Sequence, residues 1–374
     1  MPSHLRRLIF VVSVLVLSYG VLHRADAECP GDITGNGVVN GADLGLVLAA
    51  WGSDGTDEPE SDINADGIVN GADLGVVLAT WGLCFTVPNW GTLIEAQPDP
   101  AVVWDAELRA AITATGLAWR VKDTATQIEM LLIPPGTFEM GCSASELYPC
   151  YDNEYPKHTV TLTNAFYLGR YEVTQGQWRA RMGSNPSAYA DLEAPDWADR
   201  PVDHVSWNLI AGSAGFMART GMRLPKEAEW EYAYRAGTTT AFHGFMEYPS
   251  GTDDDGLASN IGFFETDPWC DFREGELPCM PIPVGLLHGN GFGLHDMAGN
   301  VQEWVNDWYG DYSAEAQVNP QGHPSGQYGP YRVIRGGDLF QPYMENARNL
   351  RASFRAAVGP GSGGWIGFRL ARDP

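Results

Sequence analysis

Positive charge is scarce in this chain of 374 residues: 23 Lys and Arg stand against 47 Asp and Glu, a formal net charge of −24. So acidic a chain is repelled by phosphate backbones and anionic lipid, which excludes nucleic-acid and membrane-surface binding as its main role. A salt- or calcium-rich habitat explains the charge adequately, and the charge alone names no ligand. Long apolar runs are missing as well. Leu8 to Leu17 is too short to cross a bilayer, and no later segment is long enough. Six cysteines occur, none in Cys-x-x-Cys spacing, so neither a structural zinc nor a redox dithiol is signalled. The histidines show no His-x-His or His-Glu-x-x-His spacing, and Gly289-Asn-Gly-Phe-Gly293 is not a strand-to-helix phosphate turn. Helical periodicity is rare beyond residue 119, leaving short strands and loops as the main material.

What is present is first a duplication. Asp32-Ile-Thr-Gly-Asn-Gly-Val-Val-Asn-Gly-Ala-Asp43 is followed by Asp62-Ile-Asn-Ala-Asp-Gly-Ile-Val-Asn-Gly-Ala-Asp73. Each copy places oxygen-bearing side chains where a calcium loop needs them, and a glycine (Gly37 or Gly67) where that loop turns sharply. The spacing predicts two calcium sites. One is held by Asp32, Thr34, Asn36, the Val38 carbonyl, Asn40 and Asp43. The other is held by Asp62, Asn64, Asp66, the Ile68 carbonyl, Asn70 and Asp73. Leu44, Val47, Leu48 and Trp51, repeated as Leu74, Val77, Leu78 and Trp81, predict one helix after each loop, ended by Gly52 or Gly82. Pro30-Gly31 and the acidic stretch Asp54 to Ser61 leave no room for a helix ahead of either loop. A duplicated loop-plus-helix over residues 29–84 resembles the dockerin module. The resemblance implies a small all-α calcium-binding domain whose partner is a cohesin-like receptor. Gly41-Ala42 and Gly71-Ala72 stand where cohesin-binding dockerins often carry Ser-Thr-like pairs. A calcium-stiffened spacer with no partner is the alternative.

Arg6 and Arg7 ahead of the apolar run, with the small-residue site Ala25-Asp-Ala27, predict a signal peptide over residues 1–27 and an exported protein, secreted or periplasmic. In an oxidising compartment the cysteines read as disulfides. Neighbouring partners are favoured: Cys29 with Cys84 around the repeat, Cys142 with Cys150, and Cys270 with Cys279. Residues 85–118, with Pro88, Pro98 and Pro100, read as a linker carrying a helix from Trp104 to Thr115, ended by Gly116. Residues 119–374 suffice for one substantial core. Trp119 to Lys122, Met130 to Gly141 with a turn at Pro135-Gly136, and the alternating His158 to Thr163 predict strands. Trp207 to Thr220 and Pro225 to Ala236 predict helices, the latter with Glu227, Glu229 and Glu231 as a solvated face. The fold class is α+β, loop-rich and irregular.

A series of strings then occurs in order: Phe138-Glu-Met-Gly141, Tyr171-Glu-Val-Thr174, Pro201-Val-Asp-His-Val-Ser-Trp207, Arg223-Leu-Pro-Lys-Glu-Ala-Glu-Trp-Glu-Tyr232, Gly293-Leu-His-Asp-Met-Ala-Gly-Asn-Val-Gln-Glu-Trp304, Arg335-Gly-Gly337 and Gly367-Phe-Arg-Leu-Ala371. Together they resemble the formylglycine-generating enzyme family, the sulfatase-modifying factors, across 119–374. The resemblance implies that family's irregular, C-type-lectin-like fold. Its enzymes oxidise a sulfatase cysteine to formylglycine with copper held by two cysteines shortly after the Gly-Gly pair. Here those positions are Gln341 and Asn346, Asp338 replaces the preceding Ser, and no cysteine follows Cys279. Neutral amides do not replace thiolates on Cu(I), so copper is not expected and enzymatic status stays open. What remains is a polar cleft of Asp338, Gln341, Glu345, Asn346, Arg351 and Arg355, suited to a glycan or peptide. For Arg351 and Arg355 the alternative is bracing of the sheet through internal carboxylates. The resemblance also implies calcium at Asp296, Gly299, Val301 and Glu303, and again at Asn260, Ile261, Asp267 and Trp269, with Asp271 a rival to Asp267. Three functions follow: a tethered, copper-free ligand-binding member, an active formylglycine-generating oxidase with an altered site, or an envelope scaffold.

Overall fold

The computed structural model describes residues 29–34, 38–188, 190, 195–263, 280–338 and 346–374. The expected signal peptide, Asn36, Asp267, Trp269, Cys270, Asp271, Cys279, Gln341, Glu345 and the side chain of Asn346 lie outside the described residues. Two compact units divide the chain, one ending at Gly82 and the other running from Leu83 to Pro374.

In the first unit each repeat is a loop followed by a nine-residue helix, Gly41–Ala49 or Gly71–Ala79. Asn40 and Asn70 start the helices. Their side chains accept the N–H groups of Ala42 and Ala72, while Asp43 and Asp73 reach back to the caps' own N–H groups. Both helices stop before the glycines expected to end them. Gly52 lies in the turn beyond, at φ +81°, and Gly82 opens the short strand Gly82–Leu83, at φ +123°. Of the apolar stripes, Val47 and Val77 are fully buried, whereas Leu48, Trp51, Leu78 and Trp81 are about half exposed. Two such short helices cannot cover a whole stripe, so much of it stays on the surface.

The second unit is built mainly on antiparallel pairing, with parallel pairs between Gln302–Trp308 and Ile366–Gly367 and between Gln317–Val318 and His158–Leu162. A five-stranded sheet runs in the order Ala371–Arg372, Phe166–Gly169, Glu129–Ile133, Arg120–Asp123, Gly91–Glu95. Residues 85–118 are therefore more than the expected linker: they supply this sheet's edge strand and the helix Ala106–Thr113. A four-stranded sheet orders Ala356–Val358, Arg332–Arg335, Gln302–Trp308 and Ile366–Gly367, and a three-stranded one Gln317–Val318, His158–Leu162 and Gly136–Met140. The period-two pattern of His158–Leu162 appears as alternating burial. The expected helix Trp207 to Thr220 is two, Trp207–Ala211 and Phe216–Thr220. They part at Gly212 and Gly215, where a Cβ would stand 2.5 Å from Asn208 O and 2.6 Å from Ile210 O.

The helix Glu227–Arg235 corrects the sequence reading most. All nine of its residues are buried, the three glutamates included. Trp230 Nε1 donates to Glu303 at 2.7 Å, and the Glu227 N–H donates to Asp307 at 2.8 Å, which fixes the helix to the strand Gln302–Trp308. Its glutamates meet arginines from other segments, so no face of it is solvated.

Candidate functional site

Four buried arginines organise the second unit. Arg335 ends its strand and reaches Glu231 and, at 3.4 Å, Glu227. It also donates to Ala352 O at 2.7 Å and Ser353 O at 3.2 Å. Arg355 forks onto Glu227, Nε to Oε1 at 2.7 Å and Nη2 to Oε2 at 2.8 Å. Arg351 forks onto Glu154, Nη1 to Oε2 at 2.9 Å and Nη2 to Oε1 at 2.6 Å. Arg369 engages Glu303 through Nε and Nη2. Paired forks of this kind are how a protein keeps charge inside.

This geometry corrects the cleft. Arg351 and Arg355 are 0% and 2% exposed, and every nitrogen of both guanidiniums donates to an internal acceptor. They brace the fold, their charge matched by the internal carboxylates of Glu154 and Glu227. Asp338 is 7% exposed. It follows Gly336 and Gly337, whose φ values of +89° and +70° suit glycine, and a Cβ at Gly337 would stand 2.6 Å from Asn349 O. The strand end is thus pressed against the segment carrying Asn349 to Arg355.

The residues expected to hold calcium in this unit are close in sequence but unequal in availability. Asp296 is buried at φ +57° and accepts the Gly285 N–H at 2.7 Å; burial pushes its carboxyl up to about 6. Glu303 takes two donors on each oxygen, from Arg369 and Trp230, which fills its acceptor sites. Glu303 is therefore a counter-ion to Arg369. The Val301 N–H donates to Glu172 at 3.2 Å, and the Asn300 side chain donates to the same carboxylate at 2.8 Å. Burial, with Asp296 and Glu303 nearby, holds Glu172 well above the ordinary carboxylate range. Glu172 has no role in the sequence reading; its only signal is its place in the string Tyr171–Thr174. Asn260 ends a 3₁₀ turn, Asp255–Asn260, with its side chain on Leu257 O at 3.1 Å, and Ile261 is fully buried.

The repeat loops suit a hard cation better. Asp62 accepts the N–H groups of Asp66 and Gly67 at 3.2 and 2.9 Å, and Asp73 those of Asn64 and Asn70 at 3.2 and 2.8 Å. Gly67 sits at φ +85° in open space, so backbone conformation demands the glycine there. In the first loop Asp43 accepts from the Thr34 N–H and hydroxyl, both at 2.9 Å, and from the Asn40 N–H at 2.9 Å. Burial pushes Asp43 and Asp73 up, but these N–H donors prevail and keep both carboxyls below their ordinary value, hence ionised. Among the described residues no three His, Cys, Asp or Glu side chains converge as a metal set. The loops rely on amide, hydroxyl and main-chain oxygens as well, which is the calcium pattern. Cys142 and Cys150 are disulfide-bonded to each other, and Cys29 and Cys84 are each in a disulfide.

Comparison with known proteins bears on both units. Residues 118–374 match the sulfatase-modifying factor enzyme 1-like domain, and residues 30–79 match the dockerin type I domain. The formylglycine-generating enzyme of Streptomyces coelicolor is 29% identical over 324 residues, covering 71% of this chain and 94% of that protein. The serine/threonine-protein kinase pkn1 of Chlamydia caviae is 31% identical over 274 residues, but the chain spans only 39% of its length. Among solved structures, Treponema denticola variable protein 1 superposes with a TM-score of 0.50 at 25% identity, covering 66% of this chain and 95% of that one.

Proposed function

We propose, from the premise that the chain belongs to the sulfatase-modifying factor enzyme 1-like domain family, that it is an exported, calcium-loaded member that does not generate formylglycine. It acts instead as a binding module tethered through its dockerin-type repeat. One observation carries the reading: Gln341 and Asn346 stand where the family holds copper with two thiolates. A soft Cu(I) ion needs sulfur there, and two carboxamides do not supply it. The cysteines at 142 and 150 are already consumed in a disulfide.

Calcium would be held by Asp32, Thr34, Asn36, the Val38 carbonyl, Asn40 and Asp43, and by Asp62, Asn64, Asp66, the Ile68 carbonyl, Asn70 and Asp73. When bound it supplies cross-linking charge that closes each loop on its helix. In the larger unit Asp296 with the Gly299 and Val301 carbonyls, and Asn260 with Ile261, Asp267 and Trp269, are the weaker candidates, since Glu303 already neutralises Arg369. Leu48, Trp51, Leu78 and Trp81 offer an apolar surface on the repeats that fits a cohesin-like receptor. Gln341, Glu345 and Asn346, following the buried Asp338, are the polar positions offered to a glycan or peptide. Export is supported by the signal-peptide pattern and the disulfides, and no described helix is long and apolar enough to cross a membrane.

The test is direct. The purified chain, incubated with a Cys-x-Pro-x-Arg sulfatase peptide, copper and oxygen, leaves the peptide mass unchanged. Formation of the aldehyde product would establish the oxidase reading instead. Binding on a glycan and peptide array separates a binding module from a scaffold.

A further inference from the structure

A cavity of about 180 Å³ lies beyond the end of the strand Gln302–Trp308, with the Arg355–Glu227 pair forming part of its wall. Asp307, His158, His323, Asp311, Trp308 and Tyr312 are among its walls. Asp307 is 3% exposed. Its Oδ2 accepts the Glu227 N–H at 2.8 Å, and its Oδ1 has no protein partner yet is not sealed from the cavity. His158 is 4% exposed. Its Nδ1 faces Pro156 O at 3.0 Å and so carries the proton, which leaves Nε2 as a free acceptor. His323 is the reverse case: Nδ1 accepts the Ser325 N–H at 3.4 Å, so the free Nε2 carries a proton to donate. Two glycines keep the space open. A Cβ on Gly322, at φ +71°, would stand 2.6 Å from Asp307 Oδ1, and one on Gly310 would stand 2.8 Å from His323 Cβ.

The chemistry of these walls selects the occupant. Two imidazoles and a carboxylate invite a metal, but among the described residues no such three converge. They surround a molecule-sized space, one that about six waters would fill. Anions are opposed: Arg355 is already matched by Glu227, while among the described residues no arginine or lysine forms an ion pair with Asp307 or Asp311, which line the cavity. A cation over the rings meets competition, since the Arg332 guanidinium lies 3.4 Å from the Trp308 centroid and that of Arg355 4.0 Å from Tyr312. A donor-only ammonium leaves the His323 N–H unmatched, and an acceptor-only sulfate leaves Asp307 Oδ1 and His158 Nε2 unmatched. A hydroxyl group both donates and accepts, so neighbouring hydroxyls satisfy all three.

We infer that this cavity binds the neutral, polyhydroxylated end of a saccharide, with Asp307 Oδ1 and His158 Nε2 accepting from ligand hydroxyls and His323 Nε2 donating to one. The site shares no residue with Asp338, Gln341, Glu345 and Asn346, so the two stand or fall separately.

Saturation-transfer NMR on the full chain at about pH 8.5, above the value of about 7 to which burial pushes Asp307 so that its carboxylate is ionised, tests it, with glucose, galactose, mannose and N-acetylglucosamine as probes and n-butylamine and inorganic sulfate as controls. At least one neutral sugar gives a saturable signal. His323→Ala and Asp307→Asn each weaken it by about tenfold, the loss of one hydrogen bond to a charged or buried group. His323 is partly exposed, so its variant keeps the wild-type melting temperature and isolates binding from folding. The inference is overturned if no neutral sugar binds, if only the amine or the sulfate binds, or if His323→Ala binds sugar as the wild type does.

Discussion

Replacing Arg351 with Ala separates its two readings, ligand group or internal brace. Arg351 and Glu154 are both 0% exposed, so removing the guanidinium strands a carboxylate in the interior. The Ser143 and Arg348 carbonyls lose their donors at the same time. Breaking a buried pair from one side costs about 4 kcal/mol, with little solvent screening to soften it. For a unit of this size that lowers the melting temperature by about 10 °C, read by differential scanning calorimetry on the transition of the larger unit. Arg351→Lys recovers only part, because an ammonium cannot fork onto both oxygens of Glu154. Arg351→Met with Glu154→Leu recovers most of the loss, since neither charge is then left unpaired. A ligand-facing arginine would behave oppositely, with stability unchanged and binding lost. An Arg351→Ala shift under about 2 °C would refute the brace.

The remaining predictions concern the repeats and the buried acids. Calcium titrated into the full chain releases heat and stabilises the repeat unit, and Asp32→Ala combined with Asp62→Ala removes both effects; identical circular dichroism with and without calcium would contradict this. Trp51→Ala with Trp81→Ala leaves the repeats folded, because both indoles are about half exposed, but abolishes capture by an immobilised cohesin; retained capture would show that another face docks. Burial, aided by Glu227, pushes Asp307 from 3.8 up to about 7. The native state therefore holds this proton where the unfolded chain has released it. Its contribution to stability is full below about pH 4 and is lost as pH rises through about 7. Urea denaturation across that range shows this decline in the wild type and a shallower one in Asp307→Asn; parallel curves would exclude Asp307 as the cause.

How much was legible depended on how far apart the partners lie. The dockerin-type repeat could be recognised from spacing because one short loop and its helix supply each copy. The helix after each loop and the strand His158–Leu162 were legible for the same local reason. The helix Glu227–Arg235 was misread because glutamates at every second position look solvated when their partners are out of view. Glu229 pairs with the nearby Arg223, but the partners that bury the other two lie far along the chain: Arg335 is 104 residues from Glu231, and Arg355 is 128 from Glu227. The Asp307 cavity was illegible for a like reason, since its walls come from residues between Met140 and Arg355.

The sequence alone determined the duplicated dockerin-type loops, the family strings and the carboxamides at Gln341 and Asn346, because each is a matter of residue type at fixed spacing. Tertiary structure alone decided which charges are internal. Burial turned Arg351, Arg355 and Glu303 from candidate ligands into braces, and it left Asp307, His158 and His323 around a space with polar atoms unmatched. A charge is tolerated inside only with a partner in place, and no local pattern reveals a partner a hundred residues away.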